Sequence, residues 1–201
     1  MIDVTGPLGF GFTEIGSITG ESCLGNPKPR LWRLPKSDGL VVYYGLKNDG
    51  CEKISTRLKN KHFKIPVGTS FAKTNSRDVV TTEAGIADYV KAYKAFVDIG
   101  AYSVINISCP NAFGGQPFSD PSKLELLMKE VAKVHSKKPL FLKLPPDLEN
   151  SDTDKIIDIA RKYGVKGFIC TNLSKDKKNP AIKDKNVPDV GGVSGRPAAE
   201  S

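Results

Sequence analysis

The chain has 201 residues, 39% of them hydrophobic, a composition that fits one globular domain spanning 1–201 and excludes a disordered or fibrous segment. Its formal net charge is +8, but the lysines are spread along the chain with few aromatics between them, so a diffuse basic surface is expected and nucleic-acid binding is not. Four cysteines at wide, irregular spacings and two histidines that complete no ligand set argue for a reducing compartment and against a zinc site.

In chain order, Gly9–Ser17 (GFGFTEIGS) reads as a strand ending in a hydroxyl residue. Residues 19–49 are rich in Gly and Pro and lack a helical period, which predicts a long irregular excursion with room for a short hairpin; loops of that length are usually functional. A short helix over Glu52–Asn60 precedes a strand over Phe63–Phe71. Thr82–Asp98 carries Ile86, Val90, Tyr93 and Val97 at helical spacing, widened by Tyr89 and Phe96, with Thr82 as the expected cap. There follow a strand over Ala101–Ser108, a helix over Pro121–Ser136 capped by Asp120, and a strand over Pro139–Leu144. A helix over Ser151–Tyr163, a strand over Gly167–Asn172 and a long polar loop over Leu173–Pro197 complete the chain.

Short apolar strands alternating with helices predict right-handed βα units and a parallel sheet. The last four strands each end in polar residues: Ser70, Asn106 to Cys109, Lys143, and Thr171 with Asn172. Functional residues at several strand ends are the pattern of a (β/α)₈ barrel, whereas a doubly wound sheet usually carries a glycine fingerprint after its first strand, and this chain has none. A full barrel takes about 250 residues, so the chain reads as α/β, an incomplete (β/α)₈ TIM barrel with about five to six of its eight units. No stretch of about 18 apolar residues occurs, and Met1–Val4 lacks the basic and apolar regions of a signal peptide.

The most chemically loaded stretch is Ser103–Asn111, an apolar run that delivers a thiol between two carboxamides, followed by Gly114 and Gly115. Taken alone, it is also compatible with a packed structural thiol and an ordinary Pro-Asn turn. Lys143 stands in an apolar strand, where a lysine is seldom buried without a partner.

GFGFTEIGS, GNPKPRLWRLP, NISCPN, LKLPPD, CTN and GGVSGRP resemble, in order and spacing, the motifs of the dihydroorotate dehydrogenases, and the resemblance covers nearly the whole chain. It implies a flavin mononucleotide (FMN) enzyme of pyrimidine biosynthesis on a (β/α)₈ barrel, present here as a fragment. By position, Cys109 corresponds to the catalytic base, and Ser17, Ser70, Asn106, Lys143, Thr171 and Gly195 to flavin-binding residues. Gly45, Leu46, Asn106, Asn111 and Asn172 correspond to residues that hold the pyrimidine. A thiol drawn down by nearby cations and donors is expected at Cys109.

Two positions depart from the family pattern, with Val42 and Ser70 each standing where an asparagine is expected. The class features are mixed: GFGFTEIG and RLWRLP resemble the quinone-linked class, whereas a cysteine base is typical of the soluble classes. The resemblance therefore implies dihydroorotate as substrate and a quinone as the slightly favoured acceptor, with fumarate or a partner flavoprotein as alternatives. It is compatible with a homo-oligomer, in the cytoplasm or held peripherally on the inner face of the cell membrane. Other readings at this point are another pyrimidine-acting FMN barrel, similar to the dihydropyrimidine dehydrogenase module, and a degenerate barrel that binds without turnover.

Overall fold

The computed structural model describes residues 2–199. A short helix α1 (Ile2–Thr5) leads to strand β1 (Thr13–Ile18), and the excursion that follows contains a hairpin of β2 (Leu31–Leu34) and β3 (Gly39–Val42). Then come α2 (Cys51–Leu58), β4 (Val67–Phe71), α3 (Thr82–Lys94), β5 (Tyr102–Asn106), α4 (Pro121–Val131), β6 (Leu140–Leu144), α5 (Asn150–Lys162) and β7 (Gly167–Cys170). The described residues close with β8 (Gly192–Gly195) and α6 (Arg196–Ala199).

Five strands form a parallel sheet in the order β1-β4-β5-β6-β7, with the helices between them acting as crossovers. This is an α/β arrangement of consecutive βα units, an arc of a barrel. Because side chains alternate along a strand, each has one face for the helices and one for the barrel interior. Ile15, Phe71, Ile105, Leu142 and Leu144 face the helices and share one core with Tyr89, Tyr93 and Phe96 of the α3 segment and with α4. On the other face, Glu14, Gly68 and Tyr102 stand in register. A Cβ on Gly68 would overlap the Tyr102 ring, so the glycine lets that ring lie across β4 and meet Phe141 edge-on at 5.5 Å.

The helices start where their caps allow. Asp120 accepts from Lys123 N at 3.0 Å with Pro121 in the first turn, as the sequence predicts for α4. For α3 the cap is Thr81 rather than Thr82: its hydroxyl accepts from Ala84 N at 3.2 Å. The buried stripe of α3 is also rotated from the expected one. Asp88, Tyr89, Ala92 and Tyr93 are buried while Ile86 and Val90 are only half-buried, because the aromatic rings reach furthest into the core.

The remaining corrections concern ends and one strand. β1 starts at Thr13 instead of Gly9, β4 at Val67 instead of Phe63, α3 stops at Lys94 instead of Asp98, β5 at Asn106 instead of Ser108, α4 at Val131 instead of Ser136, and β7 at Cys170 instead of Asn172. The region 173–197 is not all loop: Gly192–Gly195 pairs antiparallel with β3, giving a second sheet of order β2-β3-β8. Four residues rich in glycine show no strand period, and their partner is distant in sequence, so no local pattern marks this strand.

Candidate active site

The C-terminal ends of the parallel strands are joined by a continuous hydrogen-bonded chain. The Ser17 and Ser70 hydroxyls lie 2.9 Å apart, at the ends of β1 and β4. Asn106, ending β5, donates Nδ2 to Ser17 Oγ at 2.7 Å. Its Oδ1 accepts from Ser108 N at 3.0 Å and Ser108 Oγ at 2.6 Å. Beyond β7, Asn172 donates Nδ2 to Ser108 O at 2.8 Å and to Ser108 Oγ at 3.0 Å. Tyr89 from α3 reaches Asn106 O at 2.7 Å, so a helix fixes the strand end from behind. A network in which each buried polar group has a partner holds one geometry.

Lys143 sits on β6 in register with Asn106 and is half-buried. Among the described residues its ammonium makes no hydrogen bond or ion pair, although its field reaches Glu14 and Cys109. Burial raises the Glu14 carboxyl above its usual range, and Lys143 opposes that shift. A half-buried ammonium with free donors, beside two hydroxyls and a carboxamide, is a donor set suited to a ring edge rich in carbonyl and nitrogen acceptors.

Cys109 follows the end of β5 and is half-buried, lining a cavity of about 10 Å³ with Leu46, Lys73, Tyr89, Asn106 and Gln116. Burial pushes its thiol above the ordinary value, while the amides of Asn111 and Ala112 and the charges of Lys143 and Lys73 pull it back. The lowered thiol expected from the sequence is therefore not found: cations and donors are present, but desolvation outweighs them.

Not every expected residue joins this network. Asn111 turns to the excursion, donating Nδ2 to Val42 O at 2.8 Å, while its own carbonyl accepts from Asn26 Nδ2 at 3.0 Å. Val42 thus offers a backbone acceptor at the position where the family pattern has an asparagine. Gly45 has φ +66°, and a Cβ there would collide with Asn26; its carbonyl accepts from Asn75 Nδ2 at 3.1 Å. Leu46 reaches the small cavity beside Cys109. Thr171 is exposed beyond β7. Gly195 stands apart, in the antiparallel sheet opposite Gly39, with φ +90° and no space for a Cβ against Asp38 O.

Sequence reasoning missed Ser108, Gln116, Tyr89, Asn75 and Lys73. Gln116 Nε2 donates to Ser108 O at 2.8 Å. Lys73 follows the apolar run of β4 and is 4% exposed, the same signal that singled out Lys143. Among the described residues no group of His, Cys, Asp and Glu is placed to hold a metal ion.

Parallel βα units with polar side chains converging at the strand ends define an incomplete (β/α)₈ barrel. Comparison narrows this further. A family model described as dihydroorotate dehydrogenase matches residues 2–200, and the chain belongs to that family. The dihydroorotate dehydrogenase (quinone) of Mycolicibacterium smegmatis is 34% identical over 197 residues, covering 96% of this chain and 54% of that protein. The protein of the same description from Haloarcula marismortui is 33% identical over 190 residues, covering 94% of this chain and 53% of that one. The chain thus spans about half the length of the curated relatives it matches. A crystal structure of DHODH from Eimeria tenella in complex with ferulenol superposes with a TM-score of 0.83 at 26% identity, over 94% of this chain and 57% of that one.

Proposed function

We propose that this chain carries the proton-abstracting half of a dihydroorotate dehydrogenase, which oxidises dihydroorotate to orotate with FMN and passes the electrons to a quinone. The observation that carries the reading is the convergence of Cys109, Lys143 and the Ser17–Ser70–Asn106 chain at adjacent strand ends. Oxidation of dihydroorotate removes a proton from C5 and a hydride from C6, so the site needs a base and a hydride acceptor on opposite faces of the ring. FMN, when bound, supplies the hydride acceptor.

The donor set fits that cofactor: Lys143 has free donors, and Ser17, Ser70 and Asn106 offer hydroxyl and carboxamide groups along one edge. Lys143 would stabilise negative charge arriving at the ring edge it faces. Thr171 and Gly195 complete the cofactor set by family position. Cys109 takes the C5 proton as thiolate, aided by the charges of Lys143 and Lys73. Asn106, Asn111, Asn172 and the Gly45-Leu46 backbone hold the pyrimidine, whose alternating N–H and C=O groups match carboxamides. The quinone-linked relatives support a quinone as acceptor and work peripheral to a membrane; no helix among the described residues is long and apolar enough to cross one.

The test is anaerobic mixing of the full-length, FMN-supplied protein with dihydroorotate. Orotate should form and the flavin band should bleach, and quinone should restore it. Flavin that is bound but not bleached by dihydroorotate would overturn the reading.

A further inference from the structure

The residues after β4 do more than connect it to α3. Asp88 of α3, buried, accepts from Thr74 N at 2.7 Å and Thr74 Oγ1 at 2.6 Å and so fixes this segment from below. With Thr74 held, its two neighbours reach one and the same peptide unit pair. Lys73 Nζ donates to Phe113 O at 2.7 Å. Asn75 Oδ1 accepts from Phe113 N at 2.6 Å. Arg77 adds its guanidinium over the Phe113 ring, 5.4 Å from the centroid.

We propose that Lys73 and Asn75 are positioning residues that clamp the backbone of Phe113 and thereby hold the loop 110–116 over the Cys109 thiol, controlling access to it. Packing does not explain the position of the loop's tip. The Phe113 side chain is 43% exposed. Gly114 and Gly115 have φ of +78° and +69°, and nothing lies within 4 Å of a Cβ built on either. Besides Pro110 next to Gly192 and Arg77 over the Phe113 ring, the loop's ties to the rest of the fold are hydrogen bonds: the two at Phe113, Gln116 to Ser108, and Asn111 with Asn26 and Val42.

Lys73 is a costly residue to place here. It is buried, the Asp88 carboxylate whose field reaches it is already engaged with Thr74, and its bonded partner is a neutral carbonyl of a surface loop. Desolvation accordingly lowers its pKa. A buried ammonium committed to a loop carbonyl makes sense if holding that loop matters, and the loop roofs the cavity of about 10 Å³ at Cys109, room for one water. Asn75 ties the clamp to the excursion as well, through Asn26 Oδ1 at 2.9 Å and Gly45 O at 3.1 Å.

The inference builds on the proposed role of Cys109, but its test reads thiol access and not turnover, so the two stand or fall separately. The full-length protein is treated with iodoacetamide and each cysteine is followed by peptide mass spectrometry. Cys170, exposed, should react fast; Cys23 and Cys51, 7% and 0% exposed, should stay protected; Cys109 should react slowly. Asn75→Ala, which changes no charge, should speed Cys109 by about tenfold or more while the Cys51 and Cys170 rates hold, the signature of a local opening; Cys23, which bonds Gly45 O beside Asn75, is not a control for this variant. Lys73→Arg, which keeps both the charge beside the thiol and a donor for the carbonyl, should label Cys109 as slowly as the wild type. A Cys109 rate in Asn75→Ala equal to the wild-type rate would overturn the clamp, and so would Cys51 accelerating together with Cys109. If the variants do not fold, hydrogen exchange on the wild type decides: the Phe113 amide should be protected, and exchange as fast as that of Gly114 would refute the proposal.

Discussion

The two sheets of this chain are built by opposite rules. In the parallel sheet each new strand from β4 to β7 joins the one before it, a helix covers each crossover, and one apolar face feeds a single large core. The antiparallel sheet consists of three four-residue strands, two from a hairpin and one from the far end of the chain, around a core of Leu34, Val41 and Val193. The first sheet is a rigid platform whose polar residues gather at one end. The second covers that end, and the two meet at the Asn111 to Val42 bond and at the bridge between Ser174 and Val193. Chemistry should therefore be most sensitive to the strand ends of the platform, and stability to its core.

The largest expected effect is at the end of β5. Cys109→Ala in the full-length protein should slow dihydroorotate-dependent dye reduction by about 10² to 10⁴. Its melting temperature should hardly change, since the thiol is only half-buried. Cys109→Ser should fall between. Because burial raises the thiol, the wild-type rate should still be climbing above the ordinary thiol value of about 8.5. The sign for stability is opposite: the folded protein keeps this proton to higher pH than the unfolded chain, so the contribution is full below the unfolded value and is lost as pH rises toward the folded one. An alanine variant as fast as wild type would leave Cys109 as a packing residue and remove the chemical half of the contrast.

A smaller effect separates the two cores. Leu142, fully buried in the large core, should cost about 2–5 kcal/mol when cut to alanine. Val41, equally buried in the antiparallel core, loses two methyl groups on the same change and should cost about 1.5 kcal/mol. Urea denaturation midpoints measure both. Equal losses would mean that the covering sheet is as integral to folding as the platform.

What the sequence made legible follows the same division. Apolar runs of four to seven residues and helical stripes such as Leu124, Leu127, Met128 and Val131 are local patterns, so the parallel sheet and its helices could be read in order. The strand-end position of Ser17, Ser70, Asn106 and Lys143 followed from the same pattern. β8 could not be read, because pairing between Gly192–Gly195 and β3 is non-local and leaves no period. Lys73, at the end of an apolar run, carried the signal that singled out Lys143, but its partner lies in a loop forty residues away, and Asn75 carried no signal at all; only the fold brings both within reach of that loop. The thiol's raised pKa was also invisible: residue types announce cations and donors, but desolvation depends on what packs around them.

The smallest effect probes how the covering sheet finds its register. The β2–β3 turn passes through Asp38, a non-glycine residue with φ +48°, followed by Gly39. Left-handed backbone costs most residues about 1–2 kcal/mol, less for Asp, whose short polar side chain tolerates it. Asp38→Ala should therefore lose about 1 kcal/mol. In Asp38→Gly, relief of backbone strain opposes the added freedom of the unfolded chain, and the net change should stay within about 0.5 kcal/mol. The Asp38 carboxylate also faces Arg196 at 3.5 Å, but with side chains 67% and 70% exposed that pair contributes little, and both variants remove it equally. Both also keep the bond from Arg196 N to Asp38 O at 3.1 Å, which joins the turn to the end of β8. The difference between the two urea midpoints thus isolates the backbone conformation. If alanine is tolerated as well as glycine, the turn does not set the register, and the pairing of β3 with β8 must do so instead.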